Sequence, residues 1–173
     1  SRGKQEVTAY IEHPLRNTLR AIRYGAANET IIIGDLLHDT VEDHPFEISK
    51  DLCGQNPHDE HEARKHSFAH YRATYGAEVE SMVSGMSNPI FEDKYTPAEI
   101  KNRIYAEHVH EATENPHTFV GKICDIVDNA VGLYNQEHVM KPISIKKKAT
   151  KYLPVLDILE NRLNQLSVSH PHI

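Results

Sequence analysis

The chain has 173 residues, 39% apolar and 25% charged, which is enough for one soluble domain with a real core. Its net charge of −6 speaks against a non-specific nucleic-acid binder, which shows a basic excess, but leaves room for a small anionic ligand in a locally basic cleft. Cys53 and Cys124 form no CxxC pair, no apolar run approaches ~18 residues, and Ser1-Arg2-Gly3-Lys4 has no signal-peptide core, so the expectation is a cytoplasmic protein without disulfides or a membrane span.

The pattern is helical almost throughout, with glycine sparse and little strand-like alternation. Pro14 suits the first turn of a helix that begins just after His13, where its missing N–H costs nothing. Leu15, Leu19 and Ile22 follow at helical spacing up to a stop near Gly25. Asn28 caps the next helix, from Glu29 to about Asp43, whose Ile31, Ile32, Ile33, Leu36, Leu37 and Val41 predict burial on most sides. His44-Pro45 ends it. A short helix follows from Phe46 to Cys53, and Gly54 to about His66 reads as a polar loop or surface insertion.

Further helices are predicted over Ala63 to Tyr75 and Ala77 to about Met86, with a loop over 87–96. Thr96-Pro97-Ala98-Glu99 matches a capping box with proline at the first helical position, opening a helix to about Thr113. Asn115-Pro116 breaks the chain before a helix from His117 to about Gln136. A last helix carries Tyr152, Leu156, Leu159, Leu163 and Leu166. The fold class is therefore all-α, one helical bundle of seven or eight helices, with no internal repeat.

Thirteen histidines raise the expectation of a metal site, although most must be bystanders. His38-Asp39 interrupts the most apolar helix. A buried charge there is costly unless paired or coordinated, and a divalent ion accepts imidazole nitrogen and carboxylate oxygen together. Glu42 and Asp43 each follow by four residues and fall on the same faces. Asp125 interrupts a second apolar helix at Ile123-Cys124-Asp125-Ile126-Val127, with Asn129 one turn on. His13 stands beside Pro14. Two imidazoles and two carboxylates from three segments could thus share one ion.

Tyr10-Ile11-Glu12-His13-Pro14, Leu36-Leu37-His38-Asp39-Thr40-Val41-Glu42-Asp43 and Asp125-Ile126-Val127-Asp128-Asn129 resemble the hydrolase signature of the RelA/SpoT branch of the HD phosphohydrolases, especially its small stand-alone members. Tyr75-Gly76-Ala77 resembles a further family segment. The resemblance implies that His13, His38, Asp39 and Asp125 bind one metal, usually Mn2+. Glu42 and Asp43 would activate water, and Asn129 would help to place water or substrate. Arg2, Lys101, Arg103, Lys151 and Tyr152 would contact a small anionic nucleotide. Asp128 departs from the family, which often has His or Tyr there. Residues 54–72 look like an insertion, and a helix that the family places before Arg2 is missing, as in a trimmed chain.

The activity implied is hydrolysis of the 3′-diphosphate of (p)ppGpp to GDP or GTP and pyrophosphate, with Lys101, Arg103 and Lys122 offsetting charge. Two other readings remain open at this point: an HD phosphohydrolase of another nucleotide, such as a deoxynucleotide or NADPH, and a binding module that keeps the metal box without turnover. His58, His61, His66 and His70 could form a second metal site, although exposed polar histidines are the simpler reading. Neither nucleic acid nor membrane is expected as a partner, and the sequence leaves the oligomeric state open.

Overall fold

The computed structural model describes residues 10–91, 93, 95–135 and 142–169. Among these the protein is a single all-helical bundle, with no strand and no helix long and apolar enough to cross a membrane. Arg2 lies outside the described residues.

Helix α1 spans Glu12–Arg23, with His13 and Pro14 inside its first turn. It ends where Gly25 takes φ +73°, Gly25 N–H donates to Ile22 O (3.0 Å) and Ala26 N–H to Ala21 O (3.1 Å). These paired bonds close the last carbonyls around a left-handed glycine. The inward face of α1 is not the one its apolar residues suggest. Leu15, Leu19 and Ile22 are 43%, 53% and 49% exposed, while His13, Pro14, Asn17, Thr18 and Ala21 are buried. The polar pairing described below turns α1 this way round.

Helix α2 covers Glu29–Leu37, and Asn28 caps it by accepting Ile31 N–H at 2.9 Å. The expected continuous helix to Asp43 is broken at His38–Asp39, and a short α3 resumes over Thr40–Asp43. The Thr40 hydroxyl donates to Leu37 O, which diverts a carbonyl from the helical ladder. Helix α4 (Pro45–Glu47) runs into a π-helical turn at Ile48–Leu52.

Helix α5 covers Glu60–Tyr75, earlier than predicted. Asp59 caps it by accepting Glu62 N–H at 2.8 Å, and Glu62 accepts His58 N–H at 2.6 Å. Much of the stretch expected to be a loop is therefore helix, seated through Ala63, Ser67 and Tyr71. Helix α6 is Ala77–Met86 and α7 is Ala98–Ala112. The capping box at Thr96 does not form. Pro97 precedes the helix, and the Thr96 hydroxyl donates to Asp93 O instead (2.7 Å). Helix α8 runs Pro116–Asn135, opened by Asn115 Oδ1 accepting His117 N–H (2.9 Å), and α9 runs Pro142–Ser169. On α9 the buried pair is Val155 and Leu159, while Leu156 and Leu163 are half exposed.

Two apolar cores share α2 and α6. One joins Ala21, Ile31, Met82, Met86, Tyr105, Phe119, Cys124 and Val155. The other joins Val41, Ile48, Tyr71, Val79 and Val83. Helices α2, α6 and α8 come close together at Gly121: a Cβ there would meet the flexible ends of Met82 and Met86 at 2.8 Å each and Asp35 Oδ1 at 3.1 Å. That seam sets α2, which leads to His38, against α8, which carries Asp125.

Candidate metal centre

The three segments singled out by sequence meet at one place. One ligand atom each from His13, His38 and Asp125 lie within 4.8 Å of one another. His13 Nε2 is 3.0 Å from Asp125 Oδ1 and 3.8 Å from Asp39 Oδ2. His38 Nε2 is 3.0 Å from Asp39 Oδ1. The two imidazoles meet edge to face at 5.5 Å between ring centres. Both histidines are buried, at 3% and 2% exposure.

Each ring is oriented from behind. His38 Nδ1 donates to Asp35 O at 2.7 Å, so its Nε2 is the nitrogen turned inward. That Nε2 is buried and makes no aligned hydrogen bond, despite its proximity to Asp39. His13 Nδ1 donates to Asp128 Oδ2 at 2.8 Å, so its Nε2 also faces inward. Asp128 itself accepts from Arg16 Nε (3.0 Å) and Arg20 Nη2 (3.3 Å). Asn129 Nδ2 donates to Asp125 Oδ1 at 2.8 Å and to Asp125 O at 3.0 Å, which engages its amide with the carboxylate.

Electrostatics agree with this arrangement. Burial alone would lower the pKa of both histidines, but the surrounding carboxylates outweigh it: Asp125, Asp128 and Asp39 raise His13, and Asp39 and Asp125 raise His38 to about 9. Burial would raise Asp125, yet His13, His38 and Lys122 hold it down to about 2. The cluster attracts positive charge. The carboxylates that favour protons on these imidazoles would equally favour a divalent ion in the protons' place, and with its proton displaced the buried His38 Nε2 is an atom such an ion would satisfy.

Glu42 is fixed on the rim. Its two carboxylate oxygens accept Asn88 N–H (2.7 Å) and Asn88 Nδ2 (2.8 Å). Asp43 is exposed at the end of α3. Of the expected substrate contacts, Lys151 lies over the Tyr105 ring at 3.9 Å, and Tyr152 meets Tyr105 edge to face at 6.5 Å. Lys122, buried on α8, donates to Met86 O at 2.6 Å. The charges of Asp125 and Glu42 act on both lysines. Arg103 instead lies exposed beside Glu107 (3.8 Å), and Lys101 lies 5.4 Å from the Phe91 ring centre.

Sequence reasoning did not assign Arg16, Arg20, Asn88 or Asp35. Arg16 and Arg20 follow His13 by three and seven residues, a helical stripe that was open to notice. Asp35 is fully buried, and neither carboxylate oxygen has a hydrogen-bond partner among the described residues. Burial pushes its pKa up to about 7. A lone aspartate inside Ile31-Ile32-Ile33-Gly34-Asp35-Leu36-Leu37 was its signal. Asn88, in the loop after α6, left no local signal, since its partner Glu42 lies 46 residues away on α3.

No protein-family model, curated protein or solved structure matches this chain.

Proposed function

We propose that the protein is a metal-dependent phosphohydrolase of a small nucleotide, and that the 3′-diphosphate of (p)ppGpp is its substrate. The convergence of His13, His38 and Asp125, with Asp39 within 3.8 Å of both imidazoles and each Nε2 turned inward, supports this reading. These four residues would hold one divalent ion, with Mn2+ first. Such an ion supplies Lewis-acid activation of water and of a phosphoryl oxygen.

The chain's own groups account for the rest. Glu42, gripped by Asn88 at both oxygens, would accept the proton of the attacking water. Asp43 is the more solvated of the pair and assists. Asn129 holds Asp125 in place. Lys122 and Lys151 offset the charge that develops on the phosphoryl group, with Tyr152 beside them. Lys101 and Arg103 are assigned to parts of the nucleotide farther from the scissile bond.

The test is a panel of (p)ppGpp, deoxynucleoside triphosphates and NADPH, incubated with the Mn2+-loaded protein and assayed for released pyrophosphate or phosphate. Pyrophosphate from (p)ppGpp is the expected product. Turnover of another member alone would replace the substrate. Tight Mn2+ binding with no turnover on any of them would make the protein a binding module.

A further inference from the structure

We infer that Asp128 is a positioning residue. Clamped by Arg16 and Arg20, it locks His13 in the tautomer that presents Nε2 to a divalent cation. This rests on the metal-centre reading above. From sequence, Asp128 looks like surplus negative charge beside an anionic substrate. Its geometry gives it a different task.

The side chain of Asp128 is only 7% exposed, and its Oδ2 takes the His13 Nδ1 proton at 2.8 Å. Both oxygens also accept from Arg16 Nε, at 3.0 and 3.2 Å, and Arg16 Nη2 adds a contact at 3.0 Å. Arg20 reaches Oδ1 and, through Nη1, the backbone carbonyl of Cys124 at 3.2 Å. Cys124 is the neighbour of Asp125. Two guanidinium groups thus neutralise Asp128 while they tie α1 to the turn of α8 that carries the carboxylate ligand. A carboxylate behind a ligating imidazole fixes its tautomer and raises its basicity. The arginines add a second consequence, because a carboxylate engaged by two cations is a poor competitor for the metal itself. Asp128 therefore orients the ligand set without joining it.

The test uses Zn2+ as a diamagnetic probe and Mn2+ as the titrant. In the Zn2+-loaded wild type, histidine 15N–1H spectra should show a slowly exchanging His13 Nδ1–H with the metal on Nε2. In Asp128→Ala that proton should exchange fast, and the Kd for Mn2+ should rise about 10- to 100-fold, the scale for lost partners behind a ligand. Asp128→Asn keeps the shape and an acceptor oxygen but not the charge. It should recover part of the affinity, which covers the case in which the alanine variant folds poorly by circular dichroism. Wild-type Mn2+ affinity in both variants, or metal on His13 Nδ1 in the wild type, overturns the inference alone. No binding of either ion by the wild type overturns the metal centre and the inference with it.

Discussion

Two regions of this protein are rich in histidine and acid, and they end differently. The stretch from His58 to His70 holds four histidines among Asp59, Glu60 and Glu62, yet its residues are spent on local work. Asp59 and Glu62 bind backbone N–H groups at the start of α5, and His66 Nδ1 pairs with Ser49 Oγ at 2.7 Å. His58 and His61 are exposed. At the junction of α1, the α2–α3 break and α8, two histidines and two aspartates come from three segments far apart in sequence and are mostly buried. Among the described residues only this junction gathers ligand atoms at metal-binding distance. Local density of ligating residue types is therefore a weaker signal than the same types interrupting apolar helices, because only the second requires a partner to repay burial.

Removing a ligand charge should break this contrast most sharply. Asp125→Asn should abolish Mn2+ binding and hydrolysis together, since Asp125 is the carboxylate grouped with both imidazoles at metal-binding distance. The double change His66→Ala with His70→Ala should leave Mn2+ stoichiometry untouched. Calorimetric titration of both proteins decides the matter. Equal loss in the two would return the His-rich helix to consideration as a site. Glu42→Gln comes next: Mn2+ affinity should be retained while kcat falls about 10²-fold or more, as for a lost general base. Full activity in that variant would move the proton acceptor elsewhere, with Asp43 the first alternative.

That His13, His38 and Asp125 come together, with Asp39 beside them, was legible from residue type and spacing: each is a polar residue set into apolar helix or beside a fixed proline. What surrounds them was not. Asn88 grips Glu42 across 46 residues of chain, and no periodicity reports such a pairing. The helix break at His38 was hidden because both residues keep right-handed helical angles, His38 at φ −55° and ψ −43°, and the disturbance comes from the Thr40 hydroxyl. On α1 the apolar stripe pointed to the wrong inward face. Asp128 and the arginines draw the polar side of the helix onto α8, so a ligand-positioning network decides which face turns inward and leaves the leucines at the surface.

Asp35 separates the buried region from the exposed one through pH. Unfolded, its carboxyl titrates near 3.8; folded, burial pushes it to about 7. Between those values the folded chain holds the extra proton, so stability falls as pH rises, by up to about 1.4 kcal/mol per unit for a fully coupled group. The stabilising share is complete below the unfolded value and gone above about 7. In the metal-free protein, Asp35→Asn should therefore gain on wild type across that window and keep its lead at higher pH. Melting curves from pH 4 to 8 test this, and a constant difference would mean that Asp35 is already ionised or solvated when folded. Gly121→Ala probes the same region by packing alone. The added methyl meets Met82 Cε and Met86 Sδ at 2.8 Å and Asp35 Oδ1 at 3.1 Å; the flexible methionine ends can give way, so the cost falls at the low end of overpacking, about 1 kcal/mol. Because the seam carries α2 against α8, weaker Mn2+ binding should accompany the lower melting temperature.

The smallest effect is expected where histidine is most abundant. His66→Ala removes the partner of Ser49 Oγ, a buried hydroxyl. Losing a neutral hydrogen bond of this kind costs about 1 kcal/mol, with somewhat more if the hydroxyl finds no replacement. Cys53 keeps its own contact, since its thiol donates to the His66 backbone carbonyl at 3.6 Å, which survives the substitution. The melting temperature should thus fall by a few degrees, the scale for a loss of that size in a domain this long, while Mn2+ affinity and kcat stay at wild-type values. A change in affinity without a change in stability would be the opposite pattern. It would mean that α5 communicates with the ligand cluster through Tyr71, whose hydroxyl meets Thr40 Oγ1 at 2.8 Å, one residue beyond Asp39.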